Sequence, residues 1–270
     1  MPLAVCATPI GNLEDVTLRV LSELRAADVV LCEDTRRTRI LLDRHGLEAR
    51  LLSYHAHNEA ARTGEVLERL VAGERVALVS DAGLPGVNDP GARLITAALE
   101  EGVPVTVLPG PSAVETALVG SGLVGGRYQF VGYLPRRSSE LHALADELAR
   151  WPHAVVAFES PRRLPASLAI LAEVMSERPA AVCRELTKRF EEVTRGTLVE
   201  LATGFAEAPR GEITVVLGAF ASGAGAASQE EEAPSAVAEL VAAGVRRRQA
   251  VDIVSRLTGV PRNTLYRASL

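Results

Sequence analysis

Short apolar runs alternate with amphipathic segments along the first half of the chain. The runs are rich in Val, Leu, Ile and Ala, and they predict buried strands at 3–7, 27–32, 50–54, 76–79 and 104–108. The segments between them place apolar residues at helical spacing, and Gly46 and Gly73 are suited to end two of these helices. Regular alternation of strand and helix predicts a mostly parallel α/β sheet.

The pattern changes near residue 125. Strands are predicted at 129–135, 154–158, 180–183 and 213–217, with shorter connections that favour hairpin-like pairing. The Ala-, Gly-, Ser- and Glu-rich stretch that follows is typical of a linker, and three short helical patterns come after it. We therefore predict four parts: an α/β domain at 1–117, a second α/β domain at 118–220, a linker at 221–234 and a helical domain at 235–270.

A polar loop rich in Gly, Pro, Asp or Asn follows each predicted strand of the first domain. These loops cover residues 8–12, 33–37, 54–59, 80–91 and 109–113. The carboxyl ends of parallel strands lie at one edge of a sheet, which is where open α/β sheets bind ligands. The loop at 80–91 is the longest, and it exceeds the usual length of such connections. We expect all five loops to converge on one cleft.

Composition and charge change this picture mainly at the C-terminus. The whole chain is 47% hydrophobic and 4% aromatic with a net charge of −5, so it does not have the composition of a protein that coats nucleic acid non-specifically. Residues 235–270, in contrast, contain six arginines and two acidic residues. The helices at 247–257 and 262–268, separated by the turn at 258–261, resemble a helix-turn-helix. Nucleic-acid contact, a three-helix cap and an oligomerisation tail are the alternatives.

Cysteine usage and the N-terminus indicate a cytoplasmic protein. The three cysteines lie in apolar contexts without CxxC or Cys/His spacing, which predicts reduced thiols and no metal site. A secretory signal pattern is lacking, and no apolar run approaches the ~18–20 residues of a membrane span.

Common catalytic fingerprints do not match the loops. The phosphate-binding patterns GxxxxGK[ST] and GxGxxG are not found at a strand-to-helix turn. A Ser112, His55 and Asp81 triad lacks nucleophile-elbow spacing. A metal site built from His55, His57, Asp81 and Glu59 rests on a His-x-His pattern that occurs often by chance.

A family resemblance covers residues 3 to about 218. The motifs ATPIGNL at 7–13, CEDTR at 32–36, SDAGLP at 80–85, DPG at 89–91 and PGPSA at 109–113 match, in order and spacing, the tetrapyrrole-methylase-like superfamily. The segments FVGYLP at 130–135, FESPRRL at 158–164, CRELTK at 183–188 and RGE at 210–212 continue the match. Within the superfamily the chain resembles the bacterial methyltransferases that act on the 2′-oxygen of a cytidine in small-subunit ribosomal RNA.

This resemblance implies two α/β domains of the tetrapyrrole-methylase type with a ligand cleft between them, S-adenosylmethionine (SAM) as the methyl donor, and a homodimer. The basic helical segment also resembles the tail of these enzymes. Carried over by motif, the residues expected at the SAM site are Pro9, Ile10, Asp81, Pro85, Val87, Ser112, Ala113, Phe158, Glu159, Ile213 and Thr214.

Methyl transfer to a ribose 2′-oxygen requires that the hydroxyl proton be removed or hydrogen-bonded away. We predict Lys188 with Glu185 for this role, because a partly desolvated lysine can be tuned as a base. Glu33, Asp34, His55 and Glu59 are further candidates, and Glu185 and Lys188 are equally compatible with a structural network. The arginines predicted to contact RNA phosphates are Arg36, Arg136, Arg162, Arg246, Arg247 and Arg262.

Two other functions compete with RNA methylation. A small-molecule methylase acting on a tetrapyrrole has no use for a basic tail. A non-catalytic nucleic-acid-binding regulator leaves the convergent loops without a purpose. The sequence therefore favours the ribosomal RNA methyltransferase.

Overall fold

A computed structural model describes residues 2–220, 226–258 and 260–268. Its first sheet has five parallel strands in the order β3-β2-β4-β1-β5. The strands are β1 (Leu3–Cys6), β2 (Val29–Cys32), β3 (Leu51–Ser53), β4 (Val76–Leu78) and β5 (Val105–Leu108). The connecting helices are α1 (Leu18–Ala26), α2 (Thr35–Arg44), α3 (Glu59–Val71) and α4 (Ala92–Glu100). The predicted parallel α/β sheet is confirmed.

Helices cover both faces of this sheet, which explains why its strands are almost continuously apolar. Leu3 and Val5 of β1 pack in one cluster with buried residues of α3 and α4. Ala4 and Cys6 of the same strand pack in another with buried residues of α1 and α2. With both faces covered, the carboxyl edge of the sheet is where its loops can form a cleft.

The second sheet is mostly antiparallel, in the order β6-β7-β10-β8-β9. Its strands are β6 (Tyr128–Tyr133), β7 (Ala154–Glu159), β8 (Pro179–Arg184), β9 (Glu192–Thr197) and β10 (Ile213–Leu217), and its helices are α6 (Ser138–Ala149), α7 (Leu164–Met175) and α8 (Leu198–Gly204). Only β6 and β7 pair in parallel; the other pairings are antiparallel. The predicted hairpin-like pairing is thus found between β8 and β9, whereas the consecutive strands β6 and β7 pair in parallel. The edge strand β9 was not predicted, because its sequence EVTRGT lacks an apolar run.

Helix α5 (Ala113–Ser121) joins the two sheets. Val114, Ala117 and Leu118 pack with Ile10 from the first half and with buried residues of β7, β8 and β10. The division proposed after residue 117 therefore falls inside a helix that packs on the second sheet.

The C-terminal segment is formed by α9 (Ala226–Ala242), α10 (Arg247–Thr258) and α11 (Arg262–Ala268). Val237, Ala250, Val254 and Leu265 contribute to a core that these helices share. Helix α9 begins at Ala226 and contains Pro234, so residues 226–234 are helical where their composition predicts a linker. Residues 221–225 of that linker, Gly259 of the predicted turn, and residues 269–270 lie outside the described residues.

Within the described ranges, no helix has the length and apolarity needed to cross a membrane.

Candidate active site

A cavity of about 810 Å³ lies between the two sheets. The loops after β1, β4 and β5 supply one side, and β6, β7 and β10 supply the other. Nine of the eleven residues expected at the SAM site line this cavity: Ile10, Asp81, Val87, Ser112, Ala113, Phe158, Glu159, Ile213 and Thr214. Pro9 lines a smaller adjacent cavity, and Pro85 is buried outside the lining of both.

Hydrogen bonds tie the loops of the first sheet together. Thr8 and Gly83 exchange two backbone hydrogen bonds, of 2.8 and 3.0 Å, which join the loops after β1 and β4. The Asp81 carboxylate accepts from the Asp34 backbone N–H at 3.0 Å and lies 3.5 Å from Arg37. The predicted convergence holds for these loops. The expectation that all five loops converge is wrong for the loop at 54–59, which lines neither cavity; its Glu59 carboxylate accepts from the Gly91 N–H at 3.4 Å.

Three carboxyl groups from these loops influence one another, and two of them, Asp81 and Asp89, line the cavity. Burial raises the pKa of Asp89 to about 6; a hydrogen bond from Ser80 opposes the rise, and the nearby charges of Glu33 and Asp81 add to it. Burial and the charge of Asp81 also raise the pKa of Glu33. Asp89 lines the cavity but received no role from the sequence, although it lies inside the DPG motif. It is the main functional candidate that sequence reasoning missed.

Aromatic side chains form part of the opposite wall. The Phe158 ring lies 5.0 Å from that of Phe130 and 5.5 Å from that of Tyr133, both edge-to-face. Phe130 and Tyr133 come from β6, and all three rings line the cavity. This wall is suited to a flat, apolar part of a ligand.

Glu159 lines the cavity, and its carboxylate has partners within the protein. Its side chain is fully buried, and its carboxylate accepts from the Ser160 N–H at 2.6 Å, from the Ser167 hydroxyl at 2.5 Å and from the Arg163 guanidinium. Arg163 also donates to the Leu134 carbonyl at 3.0 Å. These partners occupy both carboxylate oxygens, so Glu159 supports the cavity wall and does not offer a free carboxylate to a ligand.

The smaller cavity, of about 240 Å³, adjoins the larger one and shares Ile10, Asp81 and Glu212 with it. The Lys188 ammonium lines it and lies 2.9 Å from both Glu185 and Glu212. Burial alone would lower the pKa of Lys188, but the hydrogen bonds to these two carboxylates outweigh burial and raise it. Lys188 is therefore held as a cation, which disfavours the predicted role as a neutral base.

Glu185 is fixed as an anion in the same network. The hydrogen bond from the Glu212 backbone N–H, followed by the one from Lys188, lowers the pKa of Glu185. A lowered carboxyl pKa stabilises the charged form and weakens the group as a proton acceptor at neutral pH. The pair predicted as the catalytic base is, in this geometry, an ion pair.

The loop at 185–188 is held in an uncommon backbone conformation. Glu185 has φ of 52° and Thr187 has φ of 64°, in the left-handed region that residues other than glycine seldom adopt. A Cβ on Gly211 would lie 2.4 Å from Glu185 Cγ, and one on Gly11 would lie 2.5 Å from Lys188 Cγ. The two glycines thus allow the loop to pack closely against both halves of the protein.

The arginines predicted to contact RNA lie at the surface. The Arg36 side chain is 88% exposed and contacts Asp34, and Arg262 lies 3.2 Å from Asp252 on α10. Arg136, Arg162 and Arg246 are exposed, and Arg247 is half-buried. RNA contact by these six arginines stays a prediction.

In the residues described, no group of three or more His, Cys, Asp or Glu side chains is arranged to hold a metal ion. Cys6, Cys32 and Cys183 are buried and unpaired. Burial raises the pKa of Cys6 to about 12 and that of Cys183 to about 11, so neither thiol is activated as a nucleophile.

Comparisons with known proteins agree on the family. Residues 2–202 match the model of the tetrapyrrole (corrin/porphyrin) methylases. The chain is 42% identical to ribosomal RNA small subunit methyltransferase I of Mesorhizobium japonicum, covering 99% of this chain and 91% of that protein. It is 44% identical to the protein of the same name in Mycobacterium tuberculosis, covering 99% and 94%.

A solved structure supports the fold. Uroporphyrin-III-C-methyltransferase from Thermus thermophilus aligns with a TM-score of 0.59 at 21% identity, over 80% of this chain and 93% of that one. At that identity the likeness concerns the fold alone, whereas the family model and the curated relatives cover most of the sequence. The chain belongs to the tetrapyrrole (corrin/porphyrin) methylase family, together with the ribosomal RNA small subunit methyltransferase I proteins.

Proposed function

We propose that this protein transfers a methyl group from SAM to the 2′-hydroxyl of a cytidine ribose in small-subunit ribosomal RNA. The observation that carries the proposal is the 810 Å³ cavity between the sheets, lined by the methylase motifs, in a chain 42% identical over 99% of its length to a ribosomal RNA small subunit methyltransferase I. The proposal keeps the function that the sequence favoured and reassigns one catalytic role.

The cavity suits SAM in both shape and charge. The Phe130, Tyr133 and Phe158 rings offer an apolar wall for a flat ring system, and Asp81 offers a carboxylate for an ammonium or hydroxyl group. Gly83 brings backbone into the lining without a side chain in the way. When bound, SAM supplies a methyl group on a sulfonium, which is already a good leaving group. The protein's main tasks are then positioning and proton transfer.

Asp89 is the residue that we assign as proton acceptor. Its carboxyl lines the cavity, and its pKa of about 6 is close to the range in which a general base works best at neutral pH. Asp89 accepts or orients the proton of the 2′-hydroxyl, and Lys188 contributes a fixed positive charge at the neighbouring cavity. This assignment replaces the lysine base expected from the sequence.

The proposed substrate is RNA, and the proposed assembly is a homodimer. The surface arginines Arg36, Arg136 and Arg162 contact RNA phosphates near the cleft, and Arg246, Arg247 and Arg262 of the C-terminal helices add a second basic region. The protein acts as a homodimer in the cytoplasm, where its ribosomal substrate is found. The helical segment at 235–270 acts as an RNA-binding domain attached to the two α/β domains.

A tetrapyrrole substrate is not favoured. The structural neighbours that act on tetrapyrroles share only the fold with this chain, at 21% identity for the Thermus thermophilus enzyme. The relatives named for ribosomal RNA match at twice that identity and cover nearly the whole chain, including the basic helices.

One experiment separates the candidate functions. The protein is incubated with methyl-labelled SAM and either small ribosomal subunits that lack the modification, uroporphyrinogen, or no acceptor. We expect label only in the RNA. Deletion of residues 235–270 should weaken RNA methylation and spare SAM binding. Label in uroporphyrinogen, or none in RNA in any assembly state, would refute the proposal.

A further inference from the structure

A rigid turn projects next to the smaller cavity. It follows the strained loop directly: the Lys188 N–H donates to the Glu185 carbonyl at 3.0 Å, and the Glu191 N–H donates to the Lys188 carbonyl at 3.1 Å. The Glu191 carboxylate closes the turn by accepting from the Thr187 N–H at 2.6 Å. These bonds hold Arg189 and Phe190 at the two central positions of a turn over 188–191.

The tip of this turn carries an aromatic ring into solvent. Phe190 is 65% exposed, and the Arg189 guanidinium lies over its ring at 5.5 Å from the centroid. A hairpin tip usually carries small polar residues, because a phenyl ring that stays exposed contributes no free energy of burial to the fold. Here hydrogen bonds hold the backbone of the turn, and the Arg189 guanidinium lies over the ring.

The turn lies beside the cleft. Lys188, which opens the turn, lines the smaller cavity, and Arg37 contributes a second cation to the same lining. Both of these cations contact carboxylates, whereas the contact recorded for Arg189 is with the Phe190 ring. An exposed ring with a cation, beside a cavity continuous with the proposed methyl-transfer site, has the composition of a base-stacking platform for single-stranded nucleic acid.

We propose that Arg189 and Phe190 stack an unpaired nucleobase of the RNA substrate next to the nucleotide that enters the cleft. The inference rests on the proposed function for the identity of the RNA. Stacking on Phe190 supplies affinity without reading the base, and Arg189 adds a contact to the base plane or to its phosphate. The turn thereby sets the register of the RNA strand, and the cleft performs the chemistry.

The test measures binding of the full-length protein to unmethylated small ribosomal subunits, by co-sedimentation without SAM. The variants are Phe190→Ala, which removes the ring, and Phe190→Trp, which keeps a stacking surface. Leu99→Ala is the matched control, since Leu99 is 59% exposed but lies in the last turn of α4, away from the carboxyl edge of the sheet. SAM affinity and sedimentation of each free protein are measured in parallel.

We expect Phe190→Ala to weaken subunit binding about tenfold, with Phe190→Trp and Leu99→Ala within about twofold of wild type. SAM affinity and oligomeric state should not change in any variant. Unchanged subunit binding by Phe190→Ala, or an equal loss in Phe190→Ala and Phe190→Trp, would overturn the inference. So would a change of oligomeric state in Phe190→Ala, because a second copy of the chain would then cover the ring.

The outcome is separable from that of the proposed function. A wild-type protein that binds subunits through Phe190 but transfers no methyl group would contradict the proposed function and leave the platform standing. Methylation of subunits with no contribution from Phe190 to subunit binding would contradict the stacking platform and leave the proposed function standing.

Discussion

Two acidic residues lie near the cleft, in loops that follow strands of opposite sheets, and their surroundings give them opposite properties. Asp89, in the loop after β4, lies among other carboxyl groups, and burial raises its pKa to about 6. Glu185, after β8, accepts hydrogen bonds from the Glu212 N–H and from Lys188, which lower its pKa. The same functional group is therefore able to exchange a proton near neutral pH in one place and is held charged in the other.

The composition of a loop therefore does not determine the chemistry of its side chains. Both residues lie in polar motifs that follow a strand, and the sequence favoured the Glu185 side because a lysine is nearby. The structure shows that this lysine forms ion pairs with two carboxylates, each at 2.9 Å. The proton acceptor that we propose, Asp89, instead lies near the carboxyl groups of Glu33 and Asp81.

The largest effect is expected from removing the proposed proton acceptor, Asp89. We expect Asp89→Asn to slow methyl transfer by about 100-fold or more, since general bases contribute typically 10²–10⁴-fold. SAM affinity should change little, because the amide keeps the size of the side chain. Single-turnover methylation of small subunits at saturating SAM measures the effect. A rate within about threefold of wild type would exclude Asp89 from proton transfer.

The pH dependence of the wild-type rate tests the same side of the comparison. Asp89 accepts a proton only when ionised, so activity should fall about tenfold per pH unit below its pKa of about 6. The residual activity of Asp89→Asn should lack this acid limb. An identical limb in the variant would assign the titration to another group.

Substitutions of Lys188 test the alternative assignment, in which the lysine is the base. We expect Lys188→Met to reduce activity about tenfold, because Glu185 and Glu212 lose their cation and the loop shifts, while the acid limb remains. Lys188→Arg should recover part of the loss. If Lys188→Met abolished activity and moved the pH profile, the lysine would be the base after all.

Removing the charge of each carboxyl group should change the free energy of unfolding in opposite directions. The raised pKa of Asp89 means that its ionisation costs stability as pH rises from its ordinary pKa of 3.8 through about 6, so Asp89→Asn should stabilise the protein at pH 8 by up to about 3 kcal/mol. The lowered pKa of Glu185 means that its charge stabilises the fold above the unfolded pKa, a benefit that is lost as pH falls. Glu185→Gln should therefore destabilise at pH 8 by about 1 kcal/mol.

Urea unfolding of both variants at pH 8 and pH 4 tests this pair of signs. At pH 4 both differences from wild type should shrink, since Asp89 is then protonated in the native state and Glu185 begins to lose its charge advantage. Equal signs at pH 8 would contradict the contrast between the two sites.

Much of the fold could be predicted from sequence because its strands are buried on both faces. The apolar runs at 3–7, 27–32 and 76–79 are typical of strands that are buried on both faces. Their alternation with helices predicts that the strands pair in parallel. β9 escaped prediction because an edge strand needs no apolar run, and the start of α9 escaped because Ala, Glu and Ser suit both a helix and a linker.

The site could be predicted in outline but not in roles. Motifs placed most of the cavity lining correctly, since the carboxyl ends of parallel strands must meet. They could not show that Glu159 turns its carboxylate to Arg163 and Ser167, or that Pro85 is buried and lines neither cavity. A side chain's burial and partners come from segments far away in the chain, as the raised pKa of Asp89 illustrates.

The most direct test of the account asks where the methyl group goes and whether Asp89 is needed. Unmethylated small subunits are incubated with methyl-labelled SAM and either wild type or Asp89→Asn, and the RNA is then hydrolysed with alkali, which does not cleave next to a 2′-O-methylated ribose. We predict label in an alkali-resistant dinucleotide that begins with cytidine, formed by wild type and reduced at least 100-fold in the variant. Label in alkali-sensitive mononucleotides, or equal labelling by both proteins, would contradict it.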